Sequence, residues 1–88
     1  MIDRAALIEQ RLRSALAPAS IEIVDESAAH AGHAGASGGG HFAVTIVSAR
    51  FAGQAPIARH RMVYQALGDM MRREVHALRI TALAPDER

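Results

Sequence analysis

The residues best equipped for chemistry in this chain are five histidines, His30, His33, His41, His60 and His76, with no cysteine beside them. A neutral imidazole offers one nitrogen lone pair and is a competent ligand for iron, zinc, copper and nickel. Without cysteine the chain can build no disulfide, no thiolate zinc site and no cysteine nucleophile. The second chemical group is a cluster of arginines, Arg59, Arg61, Arg72 and Arg73. A guanidinium suits phosphate, so these four are the candidate nucleic-acid contacts. A solvated helix face with Asp69 and Glu74 nearby is the favoured reading, because the chain is nearly neutral overall. The formal charge of +1 is weak for an obligate nucleic-acid binder. No nucleophile–base–orienter set, paired carboxylates or phosphate-cradling glycine loop stands out. The expectation is therefore a binding module with no small-molecule substrate, not an enzyme.

Each histidine also has an ordinary structural reading. His76 sits in a strand-like run beside apolar residues and could be half-buried on a backbone hydrogen bond. His30 and His33 lie in a Gly, Ala and Ser stretch and read as exposed loop residues. His41 opens a strand and is a third ligand candidate. His60, between Arg59 and Arg61, reads as ordering the turn before a helix.

The elements that must position these side chains follow from hydrophobic periodicity. Ala5, Ile8, Leu12, Ala15 and Leu16 recur at helical spacing, with Pro18 ending the helix. Ser20 to Asp25 reads as a strand, and His41 to Phe51 as the clearest one. In the latter Phe42, Val44 and Ile46 face one way and Ala43, Thr45 and Val47 the other. Between them residues 28–40 read as a flexible loop. A helix over Arg61–Arg73 puts Val63, Ala66, Leu67 and Met70 on one stripe. Arg61, Gln65, Gly68 and Arg72 then form the opposite one. Extending that helix backward drives Arg59 and His60 toward the apolar arc. Pro56 to His60 is accordingly expected as a separate short element, giving a helix–turn–helix-like pair. Val75 to Leu83 is the last strand, with His76, Leu78 and Ile80 alternating against Ala77, Arg79 and Thr81.

The expected fold is a single α+β domain over residues 1–88, ordered α–β–β–α–α–β, with helices packed on one face of a three-stranded sheet. Its core should contain Leu12, Leu16, Val44, Ile46, Val63, Leu67, Met70, Leu78 and Ile80. The amino-terminal MIDRAALIEQ holds no long apolar stretch, so neither a secretory signal nor a membrane span is read. A cytoplasmic setting fits the absence of cysteine.

The local sequence narrows the choice of fold. VDES at Val24–Ser27, HFAVTIVSARFAG at His41–Gly53, ARHRMVYQAL at Ala58–Leu67, VHAL at Val75–Leu78 and the closing TALAPDE together resemble the BolA family. The resemblance covers nearly the whole chain. It implies a fold like the second type of KH domain. It also implies a partnership with monothiol glutaredoxins that shares a [2Fe–2S] cluster, in iron–sulfur trafficking or iron homeostasis. The alternative it implies is DNA binding and transcriptional control, chiefly in bacteria, through the helix–turn–helix-like region. The family's histidine at the start of the last strand is matched by His76. Its loop ligand is matched by His30, which follows VDES at the family's spacing. The Gly-Gly-Gly run and the extra His33 depart from the pattern and leave His33 as an alternative. The G-x-x-G clamp of RNA-binding KH domains is missing. Ligand chemistry agrees with the resemblance: histidine can serve one iron of a [2Fe–2S] centre, but the thiolates must come from a partner.

Overall fold

The computed structural model describes residues 3–27, 40–73 and 75–88. Helix α1 spans Arg4–Leu16. Asp3 caps it, its carboxylate accepting the Ala6 N–H at 2.8 Å. The helix closes at Ala17, whose left-handed backbone (φ 43°) lets its N–H reach the Arg13 carbonyl, and Pro18 prevents continuation. Ile8, Leu12 and Leu16, spaced one turn apart, are the buried stripe.

Strands β1 (Ser20–Asp25), β2 (Gly40–Val47) and β3 (Val75–Leu83) form one sheet in the order β1–β2–β3. β1 runs antiparallel to β2, pairing Ile21 with Ile46 and Ile23 with Val44. β3 runs parallel to β2, pairing Phe42 with Leu78, Val44 with Ile80 and Ile46 with Ala82. Parallel neighbours need a crossover, here made by helix α2 (Pro56–Leu67). The period of two puts Phe42, Val44 and Ile46 on the face that meets both helices. There they join Ile8, Leu12, Leu16, Phe51, Val63, Leu67, Met70 and Val75 in one core. Seven of the nine expected core residues belong to it, and Leu78 and Ile80 pack half-buried against it.

Two expectations about the second strand's boundaries are corrected. The second strand stops at Val47, not Phe51, and Ala49–Phe51 form a 3-10 turn. The cause is Ser48, which is fully buried. Its hydroxyl donates to the Leu16 carbonyl at 2.6 Å and accepts from the Arg50 N–H, bending the chain toward the end of α1. Gly40, expected in the loop, is the buried first residue of β2; residues 28–39 lie outside the described residues.

The expected helix–turn–helix-like pair is not formed. α2 is continuous from Pro56 to Leu67 and breaks at Gly68 (φ 55°), after which Gly68–Arg72 form a 3-10 turn. Pro56 is pre-organised for the first helical position. Arg59 is tolerated near the apolar side because its guanidinium makes four hydrogen bonds there. It donates to the carbonyls of Gln54 (2.8 Å) and Ala82 (3.0 Å), and to both carboxylate oxygens of Glu87 (2.6 and 3.0 Å). Glu87 in turn accepts the Ala84 N–H at 2.7 Å. Arg59 thus bolts α2 to the end of β3 and to the closing turn Pro85–Glu87. The Arg59 guanidinium, followed by the Ala84 N–H, holds the Glu87 carboxyl well down, at about 2.

Candidate metal centre

His76 occupies the start of β3, as the sequence places it, but not on the face that simple alternation assigns. Gly40 pairs with Val75 and His41 pairs with Ala77, so the register slips by one residue between Gly40 and His41. His76 is the extra residue of this bulge. Val75 keeps the core side, only 2 % exposed, while His76 and Ala77 are both exposed before Leu78 turns back inward. The bulge therefore frees His76 from the core face it would otherwise share with Leu78. Its ring lies against that of His41, with centroids 5.1 Å apart and planes tilted by 49°.

The same end of the sheet anchors the segment that carries His30 and His33, which themselves lie outside the described residues. The segment leaves from the VDES residues. The Asp25 carboxylate accepts the Ser27 N–H at 2.9 Å, and the Ser27 hydroxyl accepts the His41 N–H at 3.0 Å. Hydrogen bonding from the Ser27 side chain, then from its N–H, lowers the Asp25 pKa from its ordinary value. The Glu26 N–H donates to the His41 carbonyl at 2.7 Å, and the Glu26 carboxylate pairs with Arg79 across the sheet. The segment returns at Gly40, beside Val75. VDES is thus a turn that ties the start of the segment to the backbone of His41.

The remaining sequence candidates are not brought to this centre. His60 lies within α2, its Nδ1 2.9 Å from the Pro56 carbonyl oxygen, a local tie. Arg59 is committed internally, as described above. Arg73 pairs with Asp69 at 3.3 Å. Arg61 and Arg72 are exposed and make no ion pair among the described residues, but they share no helical face because α2 ends between them. Arg61 instead lines a groove of about 400 Å³ on the outer side of α2, with Pro56, Ile57, His60 and Tyr64. The sequence contained the clue to the contact between His41 and His76. Two histidines at the entries of two neighbouring strands lie at the same end of a parallel pair.

A three-stranded mixed sheet covered on one face by two helices, with two neighbouring imidazoles at one end, defines a small α+β module. The model of the BolA-like protein family matches residues 12–87. BolA-like protein 1 of Mus musculus is 44 % identical over 80 residues, covering 91 % of this chain and 57 % of that protein. The DNA-binding transcriptional regulator BolA of Escherichia coli K12 is 45 % identical over 71 residues, covering 81 % of this chain and 66 % of that protein. The BolA domain of SufE1 from Arabidopsis thaliana superimposes with a TM-score of 0.86 at 38 % identity, covering 100 % of this chain and 99 % of that one. The chain belongs to the BolA-like family. It spans between about half and two thirds of the length of the two curated relatives above.

Proposed function

We propose that this chain is a non-enzymatic adapter that shares a [2Fe–2S] cluster with a monothiol glutaredoxin, in iron–sulfur trafficking or iron homeostasis in the cytoplasm. One observation carries this reading: the exposed imidazole of His76, released from the core face by a bulge, at the end of the sheet where the histidine-bearing segment is anchored. The donor set fits. Nitrogen ligands can hold one iron, and the absence of cysteine requires the other iron's thiolates to come from elsewhere. A glutaredoxin cysteine and a glutathione thiol have that chemistry. His76 serves as one ligand and a histidine of the 28–39 segment, His30 or alternatively His33, as the other. Among the described residues no helix is long and apolar enough to cross a membrane, and the proposed partner is a soluble protein.

The second reading, DNA binding, draws on what the Escherichia coli relative is called. It has less support here, because the helix pair is replaced by one helix and Arg59 is engaged internally. The test is anaerobic reconstitution of the chain with a monothiol glutaredoxin, glutathione, iron and sulfide. The expected product is a heterodimer carrying one [2Fe–2S] cluster, with a visible spectrum distinct from that of the glutaredoxin alone. Two proteins that elute separately, with an unaltered glutaredoxin spectrum, would contradict the reading.

A further inference from the structure

We propose that the groove on the outer side of α2 docks an acidic amphipathic helix of a partner protein, with Ile57 and Tyr64 as apolar anchors and Arg61 as the group that takes a carboxylate. The proposal goes beyond the shared-cluster reading and uses none of its ligands.

α2 is apolar on two sides. Val63 and Leu67 are fully buried and face the core. Ile57 and Tyr64 lie on another side, 73 % and 41 % exposed. They are two of the three large hydrophobic side chains exposed among the described residues, the third being Val24 on the sheet. Two helical turns separate them, about 10 Å along the axis, so they share one face. With Pro56, His60 and Arg61 they line a groove of about 400 Å³. The fold gains nothing from a second apolar stripe left in water, and an apolar patch with a polar rim marks a binding surface. Two apolar contacts about two turns apart match the first and last anchors with which an amphipathic helix fills such a groove.

Charge selects the partner. The α2 sequence PIARHRMVYQAL has no acidic residue. Arg59 is taken by Glu87, and the His60 ring is tied to the Pro56 carbonyl. Arg61 is exposed, lies midway between Ile57 and Tyr64, and makes no ion pair among the described residues. A partner carboxylate set between two apolar side chains complements this stripe, whereas a lysine there meets like charge. The same arginine disfavours a second copy of the chain. Packing the stripe on itself about a two-fold axis, with the helices antiparallel, sets Arg61 against Arg61 at the axis. A nucleic-acid backbone would answer Arg61 but leave Ile57 and Pro56 without apolar partners. A single groove of this size gives a transient contact.

The test is amide NMR of the isotope-labelled full chain, titrated with a synthetic helical peptide that repeats Leu-x-x-Glu-Glu-x-x-Leu. A counterpart with Lys for each Glu is titrated in parallel. Wild type is expected to show saturable shifts at Ile57, Arg61 and Tyr64 with the Glu peptide, and binding about tenfold or more weaker with the Lys peptide. Ile57→Ser and Tyr64→Ser should each weaken binding of the Glu peptide by about tenfold or more, as for anchors of an interface. Both side chains are exposed, so circular dichroism should show each variant folded. Arg61→Gln should bring the two peptides close to equal affinity. No shift at millimolar Glu peptide, equal binding of both peptides by wild type, or full binding by folded I57S would overturn the proposal. A wild-type dimer that sedimentation shows to dissociate in I57S/Y64S would give the groove to a second copy and overturn it. A DNA duplex that shifts these amides where the peptide does not would overturn it in favour of nucleic acid. No iron, glutathione or glutaredoxin is present, so each of these results leaves the shared-cluster reading to its own experiment.

Discussion

Gly40→Ala replaces one hydrogen by a methyl group at the first residue of β2. A Cβ there would overlap the Phe42 ring, lying 2.7 Å from its Cζ and nearer still to its Cε2, with the Ser27 Oγ at 3.2 Å. The Phe42 ring is 1 % exposed and belongs to the core, so it cannot swing into solvent. Relieving the overlap means moving a packed aromatic ring or the strand itself, which costs about 1–3 kcal/mol. Glycine-to-alanine changes at unstrained sites instead stabilise by about 0.4–1 kcal/mol, through the unfolded chain. The two effects oppose each other, and the steric one wins here. A protein of this size loses about 4–8 °C of melting temperature per kcal/mol, so the melting point should fall by about 5–15 °C. Thermal unfolding followed by far-ultraviolet circular dichroism measures it. Phe42→Leu removes the obstructing ring edge, so the double variant should be more stable than the sum of the two single effects implies. A Gly40→Ala protein as stable as wild type, with no such coupling, would refute the packing described for this end of the sheet.

Leu67→Ala should cost about 2–5 kcal/mol in denaturant unfolding, because Leu67 is fully buried in the common core. Ser48→Ala should cost about 1–3 kcal/mol, since it strips a buried hydrogen bond from the Leu16 carbonyl; chemical denaturation reads it directly. The Glu87 carboxyl titrates lower in the folded chain, at about 2, than its ordinary value of 4.5. The stability it contributes is therefore present above about pH 4.5 and lost as pH falls toward about 2. Glu87→Gln should remove that part of the acid dependence in unfolding measured across this range. If the chain binds DNA, Arg61→Ala and Arg72→Ala should each lower the salt dependence of binding by about one unit of slope. Arg59→Ala should instead destabilise the fold.

The core was legible in the sequence because it follows local periodicity. Ile8, Leu12 and Leu16 repeat each turn, and Phe42, Val44 and Ile46 repeat every second residue. What was not legible depends on distant partners. The strand ends at Val47 because the Ser48 hydroxyl reaches the Leu16 carbonyl, 32 positions away. α2 begins at Pro56 and accommodates Arg59 because Glu87, 28 positions away, receives its guanidinium. No reading of residues 56–73 alone could supply that acceptor, and so the helix was divided at the wrong place. His76 was found at the right element on the wrong face. Alternation cannot foresee a bulge, whose position is set by how β3 pairs with β2. The same slip brings His41 to His76, so the contact between two residues far apart in the chain appears only once the sheet is assembled. Arg59, a candidate phosphate contact in the sequence, is bonded to Gln54, Ala82 and Glu87 and ties α2 to the end of β3. Ser48 and Phe51, carriers of the family resemblance, serve the fold in the same way.

The central claim is that His76 ligates a cluster shared with a glutaredoxin, and pulsed electron paramagnetic resonance of the reduced heterodimer tests it most directly. A histidine-ligated iron couples the unpaired electron to ¹⁴N of the bound imidazole. The account predicts strong ¹⁴N modulation in the wild-type complex. His76→Ala should diminish it while leaving the free chain folded, since His76 is exposed and lies outside the core. An identical ¹⁴N signal in the His76→Ala complex would contradict the claim.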